Sequence, residues 1–184
     1  MAGRRQRPKP AQPPNAEAAL ELAARFLGTR PRTRWEVERR LRRAGVADDV
    51  VAATLDRLAD LGYLDDAAFV RWWLEQRDRR APRGRRMLEA ELRQHGVPRD
   101  VIEDFREAYA TPERALDAEQ LPATDEERAR VALERHLRGR PVPTDPRALQ
   151  RLGAFLMRRG FDPETVRAAI SAASDAAAEM DGPA

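Results

Sequence analysis

The stretch "RQHGVPRDVI" occupies residues 93–102, and its outline returns twice, as "RRAGVADDVV" at residues 42–51 and "MRRGFDPETV" at residues 157–166. Aligned on the glycines Gly45, Gly96 and Gly160, each copy has a leucine four residues earlier (Leu41, Leu92, Leu156) and an apolar residue eight earlier (Val37, Leu88, Leu152). Another apolar residue follows each glycine directly (Val46, Val97, Phe161). The i, i+4 spacing sets the first two on one face of a helix. Glycine supplies the left-handed residue that stops the helix, and a flanking apolar pair such as Leu41 with Val46 is the contact that accompanies a Schellman cap. Past each glycine comes an acid, Asp49, Asp100 or Glu164, where a new helix presents the positive end of its dipole. Each copy therefore reads as a helical hairpin.

A further helix is predicted before each hairpin: Ala16 to about Leu27, Asp65 to about Arg79, and Thr124 to about Leu137. "TDEE" from Thr124 and "TRWE" from Thr33 both have the form of a capping box. The expected fold is all-α, a tandem array of three three-helix units, elongated and curved, at residues 16–61, 62–110 and 124–180. A disordered basic arm, 1–15, precedes them, and an acidic spacer, 111–123, separates the second unit from the third.

With 184 residues, 42% hydrophobic, 35% charged and only 5% aromatic, the chain is suited to several small cores rather than one thick one. It has no cysteine, and its two histidines, His95 and His136, do not suggest a metal cluster. No cofactor is implied. The net charge is only +3; the isoelectric point near 10.1 reflects basic residues that are all arginine except Lys9. No run approaches the ~20 apolar residues of a membrane span, and the opening residues lack a secretory apolar core. A soluble, monomeric, cytoplasmic protein is expected. No phosphate-cradling glycine loop, zinc signature or nucleophile with its base is present, so the reading is non-enzymatic.

The carboxylates of "LDD" (Leu64 to Asp66) are expected to cap a helix, with Leu64 and Phe69 placed as a hydrophobic staple. Phe69, Trp72, Trp73 and Gln76 follow helical spacing and form a core stripe. Adjacent tryptophans point about 100° apart, so either Trp72 or Trp73 is a candidate exposed anchor. Arg42, Arg43, Arg158 and Arg159 lie in last turns, where the dipole favours cations. Arg32, Arg34, Arg83, Arg85 and Arg86 instead crowd helix starts, where it does not. With Arg77, Arg79 and Arg80 they make basic connections on successive units, suited to an acidic partner or polyanion, and Gly84 would permit close backbone approach.

"LGYLDDAAFVRWWLEQRDRRAPRGRRMLEAELRQHGV" (Leu61 to Val97), with "LGTRPRTRWEVERRLRRAGV" before it and "LGAFLMRRGFDPETV" near the end, resembles the bacterial RecX family of regulatory proteins. The matching residues are Leu64, Asp65, Asp66, Phe69, Gly84, Glu91 and Leu92. Departures are Val70, where the family often has a small residue, and Arg83, where lysine is frequent. The resemblance implies a protein that lies along the RecA recombinase filament, near its acidic surfaces or the enclosed single-stranded DNA, and restrains filament growth, strand exchange and ATP hydrolysis. The alternative is a direct DNA binder, helix-turn-helix-like or a non-specific single-strand binder. Against it, the helices after each glycine are acidic and poor in base-reading side chains, and aromatic stacking platforms are scarce.

Overall fold

The computed structural model describes residues 14–110 and 124–180. Residues 1–13 of the expected basic arm, and the whole acidic spacer, lie outside them. The described elements are α1 (Ala16–Leu27), α2 (Arg34–Arg43), α3 (Asp48–Asp60), α4 (Asp66–Arg80), α5 (Arg85–Gln94), α6 (Arg99–Ala110), α7 (Asp125–Leu137), α8 (Pro146–Arg158) and α9 (Pro163–Met180), with no strand among the described residues. The fold is an all-α tandem array of three-helix units.

Each of the three aligned glycines ends its helix at positive φ: 79° at Gly45, 71° at Gly96 and 89° at Gly160. The paired bonds of the Schellman geometry are present. The Val46 N–H donates to the Leu41 carbonyl at 3.3 Å and Gly45 N–H to Arg42 at 3.0 Å, and the equivalents are Val97 to Leu92 at 3.1 Å and Phe161 to Leu156 at 3.4 Å. The same device recurs after α3, where Tyr63 N–H donates to Leu58 at 2.9 Å, a stop that the threefold alignment does not include. Helix starts follow capping chemistry as well. Thr33 and Thr124 complete reciprocal boxes with Glu36 and Glu127. Asp162 accepts the N–H groups of Glu164 and Thr165 at 2.9 and 3.0 Å, and the Thr165 bond above all holds its carboxyl below the usual range.

Burial divides into three clusters. Ala19, Val37, Leu41, Val51, Leu55 and Leu58 belong to the first, Phe69, Leu74, Leu88, Leu92, Ile102 and Phe105 to the second, and Leu133, Leu152, Leu156, Phe161 and Val166 to the third. Three of the eight buried residues in the third are alanines, Ala129, Ala132 and Ala169, so it removes little apolar area from water. That cluster needs help from its neighbour.

The chain falls into two compact units, one up to Asp65 and one from Asp66 onward. The second therefore contains both α4–α6 and α7–α9, joined by polar contacts. Arg128 on α7, 1% exposed, grips Asp78 on α4 through Nε–Oδ1 at 2.5 Å and Nη2–Oδ2 at 2.7 Å. The Asp125 carboxylate accepts the Arg85 N–H at 3.1 Å, capping α5 from the third module. Gly84 N–H donates to the Arg159 carbonyl at 2.9 Å. A Cβ on Gly84 would collide with the Gly160 carbonyl, and one on Gly160 would fall 2.6 Å from the Met87 Cβ.

Two stability predictions follow from these contacts. Gly84→Ala must displace backbone and should cost about 1–3 kcal/mol. Gly45→Ala, with open space around it, should cost only left-handed strain, ~1–2 kcal/mol at most; urea unfolding of both variants should show Gly84→Ala to be the more destabilised. Glu89 is buried and accepts from Arg106 at 2.9 and 3.1 Å and from Arg93 at 2.7 Å, and the Arg106 bonds above all depress its pKa. A depressed carboxylate stabilises the fold above its unfolded pKa of about 4.3 and loses that contribution as pH falls through the lower folded value. Glu89→Gln should lower the urea midpoint at neutral pH, by roughly 1–3 kcal/mol in stability, with the gap to the parent closing below about pH 4.

Candidate functional site

Among the described residues, the arginines of the two basic connections separate into those that meet a partner within the molecule and those that meet no carboxylate. In the first connection, Arg34 pairs with Asp56 at 2.7 Å. Arg32 donates to Thr29 Oγ1 at 3.0 Å and lays its guanidinium 4.0 Å from the centre of the Phe26 ring. Burial and then the neighbouring Arg30 lower the Arg32 pKa.

In the second connection the organising group is Glu91, 8% exposed on α5. Its carboxylate accepts from Trp73 Nε1 at 2.9 Å and Arg77 Nε at 2.8 Å, and it also pairs with Arg83. The Arg77 guanidinium lies 4.2 Å from the Trp73 ring centre. Burial lowers the pKa of Arg77 and of Arg83, the latter helped by Arg77 and Arg159 nearby. Arg79 pairs with Glu75 on its own helix.

Arg34, Arg77, Arg79 and Arg83, expected to face an acidic partner, each meet a carboxylate of this chain: Asp56 and Glu91 from other helices, and Glu75 from one turn before Arg79. The role foreseen for Gly84 is corrected as well: its close approach is to the chain's own Gly160 turn. Trp72 and Trp73 are both half-buried and pack against the second core; the tryptophan with the greater exposure is Trp35, at 39%. Among the described residues, no carboxylate meets the side chains of Arg80, Arg85 or Arg86. Arg80 and Arg86 are exposed, and Arg85 is half-buried.

Pattern reading missed the groups that place these cations: Asp78, Asp125 and Arg128. It also missed a cavity of about 510 Å³ where α4, α7 and α8 end, lined by Arg80, Arg135, His136, Arg138, Arg140 and Arg159. The available signal was Arg128, a charged residue on the apolar face of α7 beside Ala129, Ala132 and Leu133. Among the described residues no helix is long and apolar enough to cross a membrane.

Sequence models of the first, second and third three-helix domains of RecX match residues 19–58, 65–104 and 124–170. The regulatory protein RecX of Mycobacterium avium (strain 104) is 36% identical over 84% of this chain and 83% of its own length. That of Mycobacterium ulcerans (strain Agy99) is 36% identical over 95% of this chain and 94% of its own. The crystal structure of RecX from Lactobacillus salivarius superposes with a TM-score of 0.67 at 18% identity, over 86% of this chain and 96% of that one, a likeness of fold. With all three domains matched in order and relatives aligned along most of its length, the chain belongs to the RecX family of regulatory proteins.

Proposed function

We propose that this protein is a non-enzymatic regulator that binds the RecA recombinase filament and restrains its growth, strand exchange and ATP hydrolysis, and so modulates recombination and DNA repair. It acts in this reading as a monomer in the cytoplasm. The observation that carries the proposal is the group of cations that meet no carboxylate among the described residues, at the start of α5 and the end of α4: Arg80, Arg85 and Arg86. Positive charge at the start of α5 is locally unfavourable by some tenths of a kcal/mol, so an acidic surface or phosphate outside the molecule is its natural complement.

The remaining residues of the two connections divide the work. Arg77, Arg83 and Trp73 hold Glu91 and thereby fix the start of α5, and Gly84 fixes it against the third module. Trp72 and Arg79 contribute at the rim of that contact, and Arg32 and Arg34 make a contact of their own on the first module. Bridging of neighbouring filament subunits would block further assembly and the movement needed for turnover. The second helix of each hairpin is rich in exposed acid, Asp100 and Glu107 among them, which argues against insertion into a DNA groove.

The test is RecA-driven, single-strand-dependent ATP hydrolysis with substoichiometric amounts of the protein. The combined Arg80→Ala, Arg85→Ala and Arg86→Ala variant is expected to need about tenfold more protein for half inhibition, with an unchanged unfolding midpoint. Arg83→Ala should instead lower that midpoint. Inhibition by the triple variant equal to the parent's would remove these cations from the mechanism.

A further inference from the structure

The cavity of about 510 Å³ at the ends of α4, α7 and α8 is lined by five arginines, Arg80, Arg135, Arg138, Arg140 and Arg159, with His136 and no carboxylate. None of the five guanidinium groups has a carboxylate partner among the described residues. Their contacts are neutral ones. Arg135 donates to the carbonyls of Asp78 and Arg79 at 3.3 Å, Arg140 to the Leu137 carbonyl at 3.0 Å, and Arg159 lies 4.6 Å from the centre of the Phe155 ring. Of the carboxylates close by in sequence, Asp78 is committed to Arg128, Glu134 accepts from Arg130 at 2.7 Å, and Asp162 caps the start of α9.

Arginine at a helix C-terminus has an ordinary explanation, since it complements the dipole. The magnitudes limit that explanation here. Three helix ends supply about −0.5 each, roughly −1.5 together, against five guanidinium charges, which leaves about +3.5 uncompensated in one cavity. A second observation is independent of charge. Arg138 stands at φ 52°, ψ 46°, and is the single non-glycine residue at positive φ among the described residues. Left-handed backbone costs an L-residue about 1–2 kcal/mol, and glycine would serve the helix stop better. The chain keeps a guanidinium at a position where local folding disfavours it.

We propose that this cavity binds a phosphate chain bearing about three to four negative charges, the excess that the helix dipoles leave over, as carried by nucleoside triphosphates and by inorganic triphosphate. The volume lies within the ~300–1,000 Å³ usual for small-molecule sites. A single nucleic-acid strand carries one charge per nucleotide and would need several nucleotides in that space, whereas a triphosphate concentrates the same charge in one small group. Arg80, Arg138 and Arg140 would hold the phosphate oxygens by charge-assisted bonds, with Arg135 and Arg159 forming the wall.

The proposal is tested by calorimetric titration of the full chain alone, without recombinase, at about 150 mM salt, where diffuse attraction is screened beyond ~8 Å. The probes are ATP, inorganic triphosphate and AMP. One triphosphate per chain should bind, with AMP roughly tenfold weaker or more. Equal affinity for ATP and inorganic triphosphate would assign the site to the phosphate chain alone, and tighter ATP would assign it to a nucleotide. Arg138→Gly removes the guanidinium while suiting the left-handed backbone. It should weaken triphosphate binding about tenfold with a thermal midpoint equal to or above the parent's. Unaltered binding by Arg138→Gly, AMP binding as tight as ATP, or displacement of ATP by a short thymidine oligonucleotide at lower concentration than by triphosphate would each overturn the proposal.

Discussion

Arg128 is charged, fully buried and tolerated there because Asp78 meets it with both carboxylate oxygens. Desolvating such a pair is expensive, and its net contribution to stability can be small; what it enforces is geometry, since loss of the Asp78 carboxylate takes the bidentate counter-charge from a buried guanidinium. The pair fixes α7 against α4. From that constraint follow the reach of Asp125 to the start of α5, the meeting of the Gly84 and Gly160 backbones, and the gathering of the α4, α7 and α8 ends around one cavity. A third core containing three alanines is thereby anchored to a better filled neighbour.

Local physics was legible in the sequence. The three leucine-to-glycine intervals predicted the Schellman stops, and both threonine boxes stand where "TRWE" and "TDEE" put them. The partners of the arginines were not legible, for a reason of range. Arg128 and Asp78 are 50 residues apart, and Arg77 and Glu91 14 apart; helical spacing carries no information about either separation. Asp78 stands between Arg77 and Arg79, and it organises the contact with the third module through Arg128. Gly84 was expected to permit close backbone approach to a partner, and the backbone it approaches is the chain's own Gly160 turn.

The family text now has a physical reading. Glu91 holds Arg77, Arg83 and Trp73 together, Leu92 accepts the Schellman bond from Val97, and Gly84 permits the backbone contact with Gly160. These motif residues brace the start of α5 against α4 and the third module. Among the described residues, arginines of this region that meet no carboxylate lie at the start of α5 and around the cavity. Bracing arginines and presenting arginines thus alternate along one stretch of sequence, which is why composition alone could not separate them.

Native-state hydrogen exchange, read helix by helix, is the most direct measurement of whether the buried pair makes α4–α6 and α7–α9 one cooperative body. The most protected amides of α4, α5, α7 and α9 are predicted to open with a common free energy, and Asp78→Asn to release α7–α9 at a lower one while α4–α6 stays closed. Independent opening of α7–α9 in the unaltered chain would contradict the account.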